Sequence, residues 1–200
     1  VGVNDKPFTS GYPVPRTLDS KEIDGLRSAW KAAAARALDA GFRLIEVHAA
    51  HGYLLHSFLS PLSNDRTDEF GGSFENRTRL LRLIVSDLRS VLPDAAPLAV
   101  RLSCSDWTPG GWTIEDTVRL STLLRDDGVD LVDCSSGGAV PRVSIPTGPG
   151  YQTGFADAVR RASGVAVAAV GMITDPIQAE TIIRTGQADI VLLARELLRD

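Results

Sequence analysis

The sequence contains 200 residues, of which 44% are hydrophobic, as expected for one globular domain with a sizeable core. The formal net charge of −4 and the scattered basic residues give no reason to expect a nucleic-acid partner, and no apolar run approaches the roughly 20 residues that cross a bilayer. The two cysteines, Cys104 and Cys134, are too few for a disulfide framework and favour a reducing compartment, by default the cytoplasm.

The first 41 residues divide into an irregular lead-in and a helix. Residues 1–18 contain three prolines and two glycines, so we expect little regular structure there, within a single domain spanning 1–200. Asp19 followed by Glu22 is the pattern of a capping box, and Gly41 is typical of a helix end. Between them, apolar residues recur at helical spacing: Ile23, Leu26, Trp30, Ala33, Ala34 and Leu38.

Five short apolar runs follow, each with the length of a buried strand, at residues 42–47, 97–102, 130–134, 165–170 and 189–194. Amphipathic segments separate most of these runs. Three helices are predicted to begin at Ser73, at Thr113 and at Asp175, which is followed by Pro176. A shorter helix is predicted at 155–163. Helix ends are predicted at Gly128, Gly164 and Gly186. Apolar strands alternating with helices predict a parallel sheet covered on both faces, and therefore an α/β fold.

The residues near the strand ends favour a (β/α)8 TIM barrel over an open nucleotide-binding sheet. Neither a GxGxxG motif nor a P-loop follows any predicted strand. Polar groups instead accompany nearly every strand end, as at the rim where barrels place their active sites, with a phosphate site after strands 7 and 8. Since only five βα units are present, we predict an incomplete barrel consisting of strands 4–8, from a chain cut at both ends.

Residues 42–77 carry the most concentrated polar chemistry in the chain. The apolar run at 42–47 delivers His48 to a strand end, and His51 and Tyr53 follow within one turn. Two close histidines can bind a metal, but no third ligand with suitable spacing is evident, so we predict no metal site. Two neutral imidazoles can instead polarise a substrate carbonyl while a phenol supplies a proton. Alternatively, these groups only form hydrogen bonds within a loop.

The whole segment HAAHGYLLHSFLSPLSNDRTDEFGGSFENR at 48–77 resembles the signature of the Old Yellow Enzyme family of FMN-dependent ene-reductases, most closely its thermophilic-like branch. Further blocks match the family in order and at similar spacing: VRLSCSDW at 100–107, VDLVDCSSGG at 129–138, AVGMITDP at 169–176 and ADIVLLARELLRD at 188–200. The resemblance extends from about residue 19 to the end and implies a flavin-binding TIM barrel.

The resemblance also implies roles for individual residues. His48 and His51 match the pair that holds the substrate carbonyl oxygen, and Tyr53 matches the proton donor to the carbon alpha to that carbonyl. Arg101 matches the arginine at the N1/O2 edge of the flavin, where a cation stabilises the reduced, anionic flavin. The alternative for Arg101 is an ion pair that closes a strand, but a charged residue inside an apolar run favours a functional role.

Four residues match the cradle of the FMN phosphate: Gly171, Met172, Ala194 and Arg195. The segment 60–77 also follows the family pattern, but we interpret its polar residues as holding a loop in shape. Phe70 and Leu83 depart from the residues common in the family. The family's first three strands, with part of the flavin contacts and a residue that tunes its potential, are not in this chain, and neither cysteine replaces that residue.

The resemblance therefore implies an oxidoreductase that reduces the activated C=C bond of α,β-unsaturated carbonyl compounds, with FMN as cofactor and NADPH or NADH as reductant. A second hypothesis is an inactive partial barrel whose open edges pair with a complementing barrel fragment or a second copy. A third is a flavin-free barrel enzyme that acts on a phosphorylated metabolite.

Overall fold

Five parallel strands form the centre of the molecule. The computed structural model describes residues 1–199, and its strands are β1 (Ile45–Ala49), β2 (Leu98–Ser103), β3 (Leu131–Ser135), β4 (Ala166–Val170) and β5 (Ile190–Leu192). Each strand pairs in parallel with the next one along the chain. This order is that of consecutive units of a (β/α)8 barrel, since a doubly wound sheet reverses its strand order. The predicted α/β fold and incomplete barrel are confirmed.

Helices connect the strands, and four of them begin at the predicted capping residues. They are α1 (Ser20–Asp39), α2 (Leu54–Leu59), α3 (Phe74–Arg89), α4 (Ile114–Asp126), α5 (Thr153–Ser163) and α6 (Pro176–Arg184), followed by a 3-10 turn (Glu196–Leu198). The Asp19 and Glu22 capping box is present, and Ser73, Thr113 and Asp175 each accept a backbone N–H at a helix start. Each cap satisfies donors that the first helical turn leaves without partners.

Several element boundaries differ from the sequence-based expectation: for example, α5 begins at Thr153 instead of Phe155, and β5 covers only Ile190–Leu192 of the expected 189–194. The first strand begins at Ile45 rather than at Phe42, because the Phe42 N–H still donates to the Ala37 carbonyl in the turn that ends α1. His48 therefore lies within β1 and not after it. The six-residue helix α2 was not predicted, since its sequence is too short to show helical periodicity. Near the carboxyl end, Glu196–Leu198 form a 3-10 turn, and Asp200, the last residue of the block matched at 188–200, lies outside the described residues.

The two faces of the sheet have different chemistry. Successive strand residues point to opposite faces, and Val47, Val100, Val132 and Val167 are fully buried in one apolar cluster with the side chains of α3. Both cysteines are also buried, with free thiols. The opposite face, here called the inner face, carries the polar side chains Glu46, His48, Arg101 and Asp133. Within residues 1–199, no helix is both long enough and apolar enough to cross a membrane.

Candidate active site

The two predicted histidines and the predicted tyrosine form one cluster at the carboxyl end of β1. The His48 ring centroid lies 5.1 Å from that of His51 and 5.4 Å from that of Tyr53. The Tyr53 side chain is exposed and lines a cavity of about 300 Å³ between this loop and the lead-in. Within residues 1–199, no group of three or more His, Cys, Asp or Glu side chains is arranged to hold a metal.

A left-handed turn after β1 orients this cluster. His51 and Gly52 have φ angles of 60° and 76°, respectively. The His51 N–H donates to the Ser103 hydroxyl at 2.9 Å, and that hydroxyl donates to the Gly137 carbonyl at 2.8 Å. The strained turn is therefore tied to the end of β2 and, through Ser103, to the loop after β3, which holds His51 in a backbone conformation that non-glycine residues rarely adopt.

Replacing Gly52 with alanine is expected to lower the free energy of unfolding by about 2 kcal/mol or more, since φ is positive and the added methyl group collides with backbone. A Cβ at this position would lie 2.1 Å from the Gly138 carbonyl oxygen. Urea unfolding measures the change. The matched control is Gly25→Ala within α1, where a Cβ meets nothing within 4 Å and stabilisation of about 0.5–1 kcal/mol is expected. Equal stability of the Gly52→Ala protein and the unmodified chain would contradict the packing described.

Both histidines of the cluster are held in the neutral form. Burial, followed by the charge of Arg101, lowers the pKa of His51 to about 4, and the same causes lower the pKa of His48. The His51 Nε2 lies 2.6 Å from the Ser135 hydroxyl at the end of β3. A neutral imidazole has one N–H donor and one acceptor nitrogen, so this pair can polarise a carbonyl oxygen without adding charge. Sequence reasoning did not single out Ser135 for this contact.

The third histidine, His56, is buried and contacts the turn at Gly52. Its Nδ1 accepts the Gly52 N–H at 2.8 Å, so the proton of the neutral ring resides on Nε2. This Nε2 lies 3.1 Å from Asp106 Oδ1, an ion-pair distance without hydrogen-bond alignment, and both side chains are fully buried. Asp106 Oδ2 also accepts from the Ser60 hydroxyl and from the Trp112 N–H, at 2.6 and 2.7 Å. We call His56, Asp106, Ser60 and Trp112 the buried clamp.

Donors in the buried clamp decide the charge of Asp106. Burial by itself would raise the pKa of this carboxyl, but the adjacent His56 ring, with the Ser60 and Trp112 donors, outweighs burial and lowers it. An ionised carboxylate is therefore enclosed under this turn. The sequence showed His56 only as a third histidine in the motif, and nothing in the pattern pointed to Asp106.

Arg101 lies on the inner face between two polar neighbours. It is in register with His48 on one side and with Asp133 on the other, and its Nε lies 3.1 Å from Asp133 Oδ2. Arg101 therefore does form the ion pair that the alternative interpretation predicted, and its partner is Asp133. Burial raises the pKa of Asp133 to about 7, with the charge of Arg101 lowering it and that of Glu46 raising it. The sequence did not single out Asp133, because a lone aspartate within an apolar run gives no sign of its partner on another strand.

The segment 60–77 holds its own shape, as predicted. Asn64, Arg66 and Arg77 each donate to two backbone carbonyl oxygens, belonging respectively to Phe58 and Phe70, Val3 and Leu18, and Leu59 and Gly72. The Arg66 contacts fasten the lead-in to this loop. Phe70, which departs from the family pattern, is buried and packs edge-on against Phe58.

The four predicted phosphate-binding residues line one cavity of about 230 Å³ between the loops that follow β4 and β5: Gly171, Met172, Ala194 and Arg195. Within residues 1–199, the backbone N–H groups of Met172, Ala194 and Arg195 donate to no acceptor. Free backbone N–H groups converging on a concave surface are typical of anion sites. Gly171 has a φ of +127°, and a Cβ there would lie 2.8 Å from Gln152 Nε2.

A glutamine that the sequence did not single out braces this cradle. Gln152 Nε2 donates to the Val170 carbonyl at the end of β4, and Gln152 Oε1 accepts from the Ser136 hydroxyl at 2.5 Å. Gln152 and Ser136 are both buried. The glutamine therefore links the loop after β3 to the loop after β4, a contact across 16 residues of chain that no local pattern reveals.

The family model and the curated relatives that match this chain are all oxidoreductases. The model of the NADH:flavin oxidoreductase / NADH oxidase family matches residues 1–200. An NADPH dehydrogenase of Bacillus subtilis (strain 168) is 49% identical over 193 residues, which cover 96% of this chain and 56% of that protein. An NADPH dehydrogenase of Geobacillus sp. (strain WCH70) is 48% identical over 194 residues, covering 97% and 56%. The chain thus spans about half the length of the curated relatives it matches.

Solved structures agree with the fold. A 2-naphthoyl-CoA reductase in complex with 2-naphthoyl-CoA superimposes with a TM-score of 0.88 at 29% identity, covering 96% of this chain and 30% of that chain. Morphinone reductase in complex with tetrahydroNAD superimposes with a TM-score of 0.74 at 27% identity, covering 92% and 48%.

Proposed function

Since the chain belongs to the NADH:flavin oxidoreductase / NADH oxidase family, we propose that it carries the substrate side and the phosphate side of the active site of an ene-reductase. The family implies FMN as cofactor and a nicotinamide nucleotide, NADPH or NADH, as reductant. The proposed substrates are α,β-unsaturated carbonyl compounds, whose C=C bond is reduced. The observation that carries this proposal is the cluster of two neutral histidines and an exposed tyrosine beside a cavity.

The cradle after β4 and β5 fits the phosphate of FMN. Three backbone N–H groups without acceptors and the Arg195 guanidinium supply donors and positive charge for a dianion. Gly171 and Met172 would contribute backbone on one side, and Ala194 and Arg195 on the other. Arg101 would supply the cation for the flavin ring. When bound, FMN supplies the hydride-transfer chemistry, which no protein side chain provides.

The substrate side is built from the chain's own residues. His48 and His51, both neutral, would each donate an N–H to the carbonyl oxygen, which polarises the conjugated alkene and stabilises the negative charge that develops there. His51 has one nitrogen engaged by Ser135, which leaves the other for substrate. Tyr53 would deliver a proton from its phenol to the carbon alpha to the carbonyl. The cavity of about 300 Å³ beside Tyr53 provides space for the rest of the substrate.

Replacing Tyr53 with phenylalanine is expected to slow alkene reduction about 100-fold, because general-acid catalysis contributes at least that factor. Binding of FMN should not change, since Tyr53 lies on the β1 side of the site. The measurement is the rate of NADPH oxidation with a cyclic enone, alongside the FMN dissociation constant. Tyr12→Phe is the control, because Tyr12 lines the same cavity without belonging to the histidine cluster. A Tyr53→Phe enzyme with undiminished rate would refute the assignment of the proton donor.

Replacing Arg195 with alanine is expected to weaken FMN binding about 10- to 100-fold, the effect of losing one charge-assisted hydrogen bond. The visible absorption at about 450 nm, recorded on protein from which unbound FMN has been removed, reports binding because the chromophore belongs to the cofactor. Arg184→Ala is the matched control: Arg184 is an exposed arginine on α6 that pairs with Glu180. If the chain remains colourless with added FMN, the proposed function fails for this chain.

A second candidate is supported by the edges of the sheet. Within residues 1–199, β1 pairs only with β2, and β5 pairs only with β4, so each presents unpaired backbone groups. Such edges pair readily with further strands, from a complementing barrel fragment or from a second copy of the chain. Light scattering distinguishes this candidate from the ene-reductase: a monomeric chain that binds FMN would argue against pairing through the sheet edges. The third hypothesis, a flavin-free enzyme acting on a phosphorylated metabolite, is not supported by the family membership.

Two further proposals concern the organisation and surroundings of the chain. We propose that residues 1–200 act as one domain, because Arg66 fastens the lead-in to the loop after β1. The free thiols of both buried cysteines favour a reducing compartment, and we propose the cytoplasm.

A further inference from the structure

Asp133 is a buried carboxyl that the mechanism above does not use. Its side chain is fully buried on the inner face of the sheet, and within residues 1–199 neither of its oxygens has an aligned hydrogen-bond donor. Buried carboxyl groups without donors are costly and uncommon, so their presence in a folded protein needs a reason. The nearest charged group is the Arg101 Nε at 3.1 Å, on the adjacent strand.

The neighbours of Asp133 show that this pair is isolated. On β2 it faces Arg101, on β1 the titratable groups of this face are Glu46 and the neutral His48, and on β4 its register partner is the uncharged Ala168. Buried Cys104 is the remaining titratable group influenced by the Asp133 charge. Since burial places the pKa of Asp133 at about 7, the carboxyl carries a partial charge near neutral pH. One side of the guanidinium thus meets a carboxyl of variable charge.

The rest of the guanidinium is free. Within residues 1–199, neither Nη of Arg101 takes part in a hydrogen bond, and the side chain is 26% exposed at the inner face. An arginine that meets a carboxyl group only at its Nε keeps its two terminal nitrogens for a ligand, whereas an unpaired arginine retains rotamer entropy that binding would have to remove. A fixed partner on the neighbouring strand restricts this motion in advance.

We propose that Asp133 is a positioning residue, which holds the Arg101 guanidinium in place on the inner face and offsets part of its positive charge toward bound flavin. The flavin part of this inference rests on the proposed function. The positional part concerns only two side chains of this chain. Two consequences follow. Removing the carboxyl group should release Arg101, and replacing it with an uncharged group of the same shape should keep Arg101 in place with its full charge.

The positional part is tested without flavin. The Arg101 Nε–H signal in a nitrogen-15 NMR spectrum, assigned by its loss in Arg101→Lys, should exchange slowly with water in the unmodified chain. Asp133→Leu should shift this signal to the position of exposed arginines and accelerate its exchange. Asp133→Asn should retain it, because the amide has the same shape and keeps an oxygen beside the Arg101 Nε–H. Glu46→Gln is the control that removes the other carboxylate and should leave the signal unchanged. An unchanged signal in Asp133→Leu overturns the proposal.

The electrostatic part is tested by the ratio of the dissociation constants for oxidised and reduced FMN, obtained from the potentials of bound and free flavin. Asp133→Asn should increase the preference for reduced FMN about threefold or more, since a nearby compensating charge is lost. Asp133→Leu should decrease that preference, because the cation is no longer held. Opposite directions support the proposal, whereas two changes in the same direction, or no change, contradict it.

Failure of the proposed function and failure of the Asp133 proposal give different results. If the chain binds no FMN, the proposed function is wrong, and the NMR signal of Arg101 alone decides whether Asp133 positions it. If Asp133→Leu does not fold, as judged by circular dichroism, Asp133→Asn decides: a raised preference for reduced FMN supports the proposal, and an unchanged preference overturns it.

Discussion

Replacing Asp106 with alanine is expected to lower the free energy of unfolding by about 3–5 kcal/mol, because several buried donors would lose the acceptor that they share. The carboxylate accepts from the Ser60 hydroxyl and the Trp112 N–H and lies 3.1 Å from His56 Nε2, with no solvent access. Its removal leaves these buried donors without an acceptor, and each unsatisfied group adds about 1–3 kcal/mol. Urea unfolding at pH 7 measures the change.

Two variants sharpen this test. Asp106→Asn preserves the volume and one acceptor oxygen, so its loss of stability should be smaller than that of Asp106→Ala. Asp94→Ala is the control, because Asp94 is exposed and, within residues 1–199, makes no hydrogen bond or ion pair. The clamp also holds the Gly52 turn through His56, so the same change should weaken binding of a carbonyl ligand at the histidine cluster. Stability of Asp106→Ala within about 1 kcal/mol of the unmodified chain would show that the buried clamp contributes little.

The stability of the chain is expected to fall by about 4 kcal/mol, through Asp133 alone, as the pH rises from about 4 to about 7. The pKa of this carboxyl is raised by burial from its ordinary value of 3.8 to about 7 in the folded chain. Between these two values the folded state binds more protons than the unfolded state. The contribution of Asp133 is therefore most favourable below the unfolded pKa and is lost as the pH rises through the folded pKa.

Asp133→Asn isolates this effect, because an amide does not titrate. The free energy of unfolding is measured for both proteins at several pH values between 4 and 8, and the Asn profile is subtracted from that of the unmodified chain. The subtraction removes the opposite trend of carboxyls whose pKa is lowered in the folded state, such as Asp68 and Asp106. A difference that is flat with pH would mean that Asp133 is not buried as described.

Local chemistry predicted most of the elements. Asp19, Ser73, Thr113 and Asp175 begin helices because each offers a side-chain oxygen to the first free N–H groups, an interaction that spans two or three residues. The alternation of apolar strands with helices was also predictable, because it depends on the hydrophobic spacing of residues that are close in sequence. Boundaries were less accurate where tertiary packing competes, as at Phe42, which completes the end of α1 instead of starting β1.

The candidate site divides in a similar way. The cluster of His48, His51 and Tyr53 was predictable because all three residues belong to one continuous motif. Arg101 was predictable as a charged residue within an apolar run. Both loops of the phosphate cradle were predictable from their place after the last two strands and from family resemblance. Their shared cavity and free N–H groups agree with this expectation, although the residue roles remain proposals.

The class of fold, the order of the elements and the residues of the histidine motif follow from the amino-acid sequence, since each depends on short-range periodicity, capping or a contiguous signature. The groups that surround the motif follow only from the packing of distant segments. Asp106 meets His56 across 50 positions, Ser135 meets His51 across 84 and Asp133 meets Arg101 across 32. Parallel strands bring these residues together only after the intervening helices have crossed over, so burial, charge state and pKa at the site follow from packing that no local pattern encodes.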